Sequence, residues 1–239
     1  MDDNGSLFVL SSAIHTRFGV FDTKTRFDQT LDTCKSIKKY APNSTIALLE
    51  SGAKPLETEY KDKLKDYGVV VYNYTNHPDV VGVTKVDNHD IVKNVVETIV
   101  FSNFYMALFD DNKKRPARIF KMSSRYVLND NFDYNYHMQA RDKIVIKGPY
   151  TSQFDPKITG GATSQYMARL YSFDYSLLPY MMCVYQNSLA NMIERINNKG
   201  YIDIEHCLFK YIKSNFDNFT DKNIGVEGII APMGKHVSE

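Results

Sequence analysis

The sequence predicts an α/β fold, one domain with a mixed, mostly parallel central sheet flanked by helices. Short apolar runs at 7–10, 45–49 and 69–72 read as strands buried on both faces, and they alternate with two segments of helical period. Such β-α-β-α-β alternation argues for parallel strands joined by right-handed crossovers. The chain's 239 residues suffice to bury one substantial core. Hydrophobic residues at 43% and charged residues at 24% are ordinary for a globular domain.

Each element has a local reason. The run at 7–10 stops at Ser11-Ser12, and a polar loop follows over 13–25. Phe27, Leu31, Cys34, Ile37 and Ala41 then recur at spacings of three and four, one face of a helix. Asp22 or Thr25 caps its start and Pro42 ends it. The strand at 45–49 closes on Glu50, a charged helix spans 55–67, and a third strand covers 69–72. Residues 77–90 read as a loop, with Pro78, Gly82 and Asn88. The helix from 91 buries Val92, Val95, Val96 and Ile99, and a buried strand begins at Ile119. Beyond it, 143–147 and 165–173 read as strands, 177–196 and 204–212 as helices parted by Gly200, and 228–231 as a last strand. The segment 148–163 is rich in Gly, Pro, Ser and Thr, and a loop that long in a compact domain is often functional. The simplest division is a nucleotide-type half over 1–126 and an appended half over 127–239.

Charge and composition narrow the function. The net charge is +1, and the run Lys113-Lys114-Arg115 reads as a solvated loop, so nucleic-acid binding is not suggested. Cys34, Cys183 and Cys207 are scattered in apolar stretches and read as reduced core thiols of a cytoplasmic protein. The opening residues are acidic and polar, unlike a signal peptide. The most apolar long segment, 91–108, carries Lys93, Asn94, Glu97 and Asn103, which suits a buried helix better than a membrane span.

The most informative stretch is Ile119 to Phe132. In α/β sheets ligands bind outside the carboxyl ends of the strands. Here that end carries Ser123, Ser124, Arg125, Tyr126, Asn129 and Asp130, a set suited to a phosphorylated, hydroxyl-rich ligand. Its alternative is an edge strand running into a polar loop. Neither GxxxxGK[ST] nor GxGxxG follows the first strand; Ser11-Ser-Ala-Ile-His-Thr-Arg17 stands there instead. Its hydroxyls and Arg17 either hold a nucleotide or form a turn with a surface arginine. Glu50 either binds ribose or belongs to the start of the next helix. Asp110-Asp111 precedes a strand and reads as a solvated turn. Asp130 and Asp133 follow one, and could hold Mg²⁺ or Mn²⁺ with a diphosphate completing the shell. In Asp203-Ile-Glu-His206, Asp203 is a natural helix cap, while Glu205 or Asp203 could serve as a general base and His206 could bind metal or phosphate. No Cys/His spacing suggests zinc, and no GxSxG elbow suggests an α/β hydrolase.

Taken in order, Leu7-Phe-Val-Leu-Ser-Ser-Ala, the run Arg26 to Ile37, Ile46-Ala-Leu-Leu-Glu50, Phe120-Lys-Met-Ser-Ser-Arg-Tyr126, Ile204-Glu-His-Cys-Leu-Phe209 and the run Ile224 to Pro232 resemble microbial and viral proteins related to GT-A nucleotide-sugar glycosyltransferases. The resemblance spans nearly the whole chain. It implies transfer of a sugar from a nucleoside-diphosphate sugar to a glycan hydroxyl. It places base and ribose near Ser11, Ser12 and Glu50, with diphosphate and donor sugar near Ser124, Arg125 and Tyr126. The acceptor falls towards Gly160-Gly161 and Glu205, the expected base. Arg17 and Lys93 join the donor site. The sequence departs from the family at its DxD metal motif, where Ser124-Arg125-Tyr126 stands. Mn²⁺ or Mg²⁺ is thus one expectation, and metal-independent stabilisation of the leaving diphosphate by Arg125 the other. The alternatives are a non-catalytic nucleotide- or glycan-binding protein of this fold, or an unrelated Rossmann-type enzyme.

Overall fold

The computed structural model describes residues 5–111, 115–212, 217–220, 223–230 and 235–239. Lys113, Lys114 and Ala231, along with the opening residues 1–4, lie outside them.

The first half follows the predicted alternation. Strand β1 (Ser6–Ser12) leads to helix α1 (Thr23–Tyr40), β2 (Thr45–Glu50), α2 (Thr58–Lys65) and β3 (Val69–Asn73). Asp22 is the cap of α1, accepting from the Thr25 amide at 2.7 Å. The segment read as loop over 77–90 contains a helix, α3 (Pro78–Thr84), followed by α4 (His89–Asp110). Pro78 opens α3 and only Val80 is buried on it, so its apolar period is too short to register in the sequence.

Next come β4 (Arg118–Ser123), β5 (Tyr126–Leu128), α5 (Tyr134–Gln139), β6 (Ile144–Thr151), α6 (Pro156–Thr159) and β7 (Ser164–Asp174). A 3₁₀ turn, Tyr175–Leu177, leads to α7 (Leu178–Asn197), α8 (Ile204–Tyr211), β8 (Asp217–Thr220), β9 (Val226–Ile230) and β10 (Lys235–Ser238). The expected long loop is shortened at its start, where β6 runs on to Thr151, and the single turn of α6 occupies its middle.

Seven strands form the central sheet in the order β3-β2-β1-β4-β7-β6-β8, and β10-β9-β5 form a small second sheet. Pairings from β3 to β4 are parallel, β7 runs antiparallel to both β4 and β6, and β6 and β8 are parallel again. The sheet is therefore mixed and mostly parallel, as predicted.

Strand alternation sends Phe8, Leu10, Phe120 and Met122 to the α1 face, and Leu7, Val9 and Ile119 to the α4 face. Phe8 and Phe120, direct neighbours in the β1–β4 register, stack with centroids 4.4 Å apart. On the other face α4 is clamped between the sheet and α7, with Val95, Ile99, Phe101 and Phe104 buried. By length and composition α4 could cross a membrane, yet most of its apolar window is buried within this core.

Three buried cationic or titratable side chains are held by the polar edges of these layers. Arg118 donates to Ser172 Oγ, Ala140 O and Lys143 O, tying β4 to β7 and to the turn before β6. His137 bonds the same Ser172 hydroxyl through Nδ1 at 2.7 Å. Lys121, on the α4 face of β4, donates to Ala168 O at 2.7 Å and pairs with Glu97 of α4 at 2.6 Å.

Candidate functional site

A cleft of about 370 Å³ opens at the carboxyl ends of β1, β2 and β4, on the α4 side of the sheet. Alternation explains what reaches it. Ser11, Leu49 and Ser123 continue the α4-facing rows of their strands and line the cleft, and Arg125 joins them from the turn after β4. The loop after β1 adds His15 to Gly19, α1 adds Arg26, and α4 adds Val92, Lys93, Val96 and Glu97.

The loop walls are set by one buried carboxylate. Glu50 accepts from Ser12 Oγ at 2.6 Å, from the Ile14 amide at 3.1 Å and from the Gly52 amide at 2.8 Å. Burial pushes its carboxyl above the usual range, while these three donors pull the other way. Gly52 is required here, because a Cβ would sit 2.6 Å from Glu50 Oε1 and 2.9 Å from His15 O. Further backbone bonds, Ser51 N to Ser12 O and Ala53 N to His15 O, knit the loops after β1 and β2 together. His15 is buried between Thr23 Oγ1 and Glu57, whose Oε2 lies 2.7 Å from its Nε2. At the tip of the loop, Arg17 reaches the Thr84 carbonyl and lies 3.6 Å from Asp87.

The electrostatics of the cleft are cationic. Arg26 is buried on α1, with Nη1 on Gln29 Oε1 at 2.8 Å and Nε on Ala13 O at 3.4 Å. Burial first, and the nearby Arg125 second, bring its guanidinium down to about 10, still charged near neutrality. Arg125 is partly exposed, with a long 3.5 Å contact from Nε to Ser123 Oγ and its guanidinium 5.8 Å from the centre of the Tyr126 ring. Lys93 projects from the exposed side of α4. Glu97 is the acid on the wall. Burial would raise its carboxyl, but the Lys121 ammonium outweighs that and holds it below the usual range.

The sequence-predicted residues divide sharply. Ser11, Ser12, Arg17, Lys93 and Arg125 meet at the cleft. Ser124 and Tyr126 do not line it. They alternate to the opposite side, where both are buried and Tyr126 packs among the α1-face residues. Glu50 shapes the cleft without standing on its wall. Asp130 and Asp133 lie at the opposite, amino edge of the parallel strands. There Asp130 is exposed against Tyr40 and Lys39 at the end of α1, and Asp133 caps α5 through the Tyr136 amide. They therefore do not form a metal site with a ligand in the cleft. The turn at Ser124–Arg125 reverses the chain, and β5 runs back along α1, so acids following β4 in sequence do not follow it in space.

Glu205 stands one step behind the cleft, on the first turn of α8. Burial and the neighbouring Asp203 raise its carboxyl, and Lys93 and Lys121 oppose the rise. Asp203 caps α8 through the His206 amide and also accepts from His206 Nδ1 at 2.6 Å. His206 Nε2 lies 2.8 Å from Ser152 Oγ, at the end of β6. His206 is fully buried, and its two ring nitrogens are engaged by Asp203 and Ser152, which anchors the 152–163 loop.

Sequence reasoning overlooked Arg26, His15, Glu97 and Lys121 as site residues. A lone Lys in the buried strand run and a lone Glu in the apolar helix were the available signal, since buried opposite charges must find each other.

The fold is that of GT-A-type glycosyltransferases of known structure. Among solved structures the chain is similar to core-mannan synthase A (CmsA/Ktr4) from Aspergillus fumigatus in a Mn/GDP form. The TM-score is 0.54 at 11% identity, over 92% of this chain and 73% of that one. It is also similar to the mannosyltransferase Ktr4p from S. cerevisiae, with TM-score 0.55 at 8% identity, over 92% of this chain and 69% of that one. At such identities the likeness shows the fold. No family model matches the chain, and no curated protein sequence is recognisably similar to it.

Proposed function

We propose that the chain is a glycosyltransferase that moves a sugar from a nucleoside-diphosphate sugar to a hydroxyl of a glycan acceptor. The observation that carries this reading is the cleft on a GT-A fold at the ends of β1, β2 and β4, lined by four cations, Arg17, Arg26, Lys93 and Arg125. Its volume of about 370 Å³ is within the range that takes a small polar ligand. The similar fungal structure solved with Mn and GDP supports a nucleoside diphosphate as the ligand class.

In this reading the 1–126 half holds the donor, and the 127–239 half supplies the acceptor side through the 152–163 loop and α8. Glu205 takes the proton of the acceptor hydroxyl, whose oxygen bonds to the sugar's anomeric carbon as the bond to diphosphate breaks. Its raised carboxyl suits a base working near neutrality. Arg125 offsets the charge that gathers on the departing diphosphate, the kind of term that is usually largest in catalysis.

A thermal-shift panel of GDP, UDP and CDP with their sugars tests the donor site, because a ligand that binds only the native state raises the melting temperature. One diphosphate and its sugars should stand out. Arg125→Ala should lower transfer about a hundred- to a thousandfold, as loss of one donor to a developing anion does, while leaving the melting temperature of the free protein nearly unchanged. Unaltered turnover in that variant would remove Arg125 from the reaction. A binding protein of the same fold is the second reading, favoured by Glu205 standing behind the cleft wall. Slow donor hydrolysis without acceptor would exclude it, and tight donor binding with no hydrolysis or transfer would select it.

A further inference from the structure

Resting on the donor-site reading, we infer that the diphosphate is neutralised by Arg26, Arg125 and Lys93 themselves, with no divalent metal between protein and phosphates. The donor set around the cleft does not fit a metal. Mg²⁺ and Mn²⁺ are held by oxygen ligands that include carboxylates, and no group of three His, Cys, Asp or Glu that could hold a metal occurs among the described residues. The strand end on the cleft carries Ser123 and Arg125. Glu97, the acid on the wall, is already committed to Lys121 at 2.6 Å. Asp130 and Asp133 lie at the far edge of the sheet. A dication entering here would face the positive charges of Arg26, Arg125 and Lys93, with Arg17 at the rim.

Those charges are arranged for an anion. Among the described residues neither Arg26 nor Arg125 is salt-bridged to a carboxylate. Arg26 rests on a glutamine amide oxygen and a main-chain carbonyl, and Arg125 on a serine hydroxyl. Glu50 is the nearby acid, and its oxygens are taken by Ser12, Ile14 and Gly52. Two guanidiniums brought together with neutral partners repel each other, and Arg125 adds to burial in lowering the proton affinity of Arg26. A diphosphate relieves that repulsion, and its paired oxygens match the guanidinium fork. Lys93, exposed on α4, adds a further charge at the mouth of the cleft.

Calorimetric titration of the full chain with GDP, UDP, CDP and inorganic pyrophosphate, in EDTA and again in Mn²⁺, tests the inference. One diphosphate should bind in EDTA with an affinity within about twofold of that in Mn²⁺, since no metal ligand is lost. Arg125→Met and Lys93→Met should each weaken it about ten- to a hundredfold, as loss of a charge-assisted bond does. Both residues are at least partly exposed, and an unchanged circular dichroism spectrum would establish that the variants fold. Binding that requires Mn²⁺ would overturn the inference and leave the donor site standing. Binding in EDTA that both variants retain would overturn it as well. No binding of any diphosphate in either condition would overturn the inference and the donor-site reading together.

Discussion

Gly52 is the residue on which the cleft's loops close. Its amide donates to Glu50, and its missing side chain leaves room for the His15 carbonyl to pass. Gly52→Ala would drive a methyl against two oxygens, forcing the loop outward. A destabilisation of about 1–3 kcal/mol is expected, as for other overpacked sites, together with weakened diphosphate binding. A denaturant midpoint equal to the parent's would show that the loop yields without cost. At this scale the sequence was half legible. Arg125 was found because a guanidinium at a strand end is conspicuous. Its neighbours Ser124 and Tyr126 were assigned with it although a strand shows alternate residues to opposite faces, which places Ser123 with Arg125 on the cleft. Arg26 was passed over as a site residue because one charge on a helix face gives no sign of which layer it turns towards.

Among the elements, the 152–163 loop depends on α8. The chain Ser152–His206–Asp203 ties the end of β6 to the first turn of the helix that carries Glu205. Arg195 of α7 holds the same loop from below, donating to the Lys157 and Ile158 carbonyls. Ser152→Ala removes one tie and keeps the other. Amide exchange over 153–163 should quicken about fivefold, the equivalent of one ordinary hydrogen bond of about 1 kcal/mol, while the amides of α8 keep their protection. Equal rates in parent and variant would mean that Arg195 alone fixes the loop. Elements with a long period were readable from sequence: α1, α4 and α7 bury regular apolar faces, and β1, β2 and β4 are nearly all buried around short apolar runs. Short elements were not. β5 has three residues and β10 four, too few to display alternation, and they exist because they pair with β9.

The whole molecule couples its stability to pH through His137. Buried beside Phe120 and Phe132, its imidazole is pushed down to about 3 by loss of water and by the nearby Arg118 charge, from an ordinary value of 6.5. Between these values the unfolded chain takes up a proton that the folded chain refuses, so this contribution to stability rises with pH and is complete above 6.5. The melting temperature should fall on acidification from neutrality to about pH 4, and His137→Gln should flatten part of that slope. An identical slope in the variant would assign the acid sensitivity to other groups. Read as a whole, the fold class was legible because the β-α alternation at the start of the chain dictates a parallel sheet. The antiparallel insertion of β7 between β4 and β6 was not, since it is decided by which edge of the sheet remains open after β4 has paired with β1.

Arg125 occupies the two-residue step between β4, in the large sheet, and β5, in the small one. The two sheets are thus joined through a segment that lines the cleft. Any pull exerted on this guanidinium is felt at once by β5 and, through its pairing, by β9 near the end of the chain. The small sheet is in mechanical series with the cleft, and a spectroscopic label on β9 would report occupancy from the far side of the molecule.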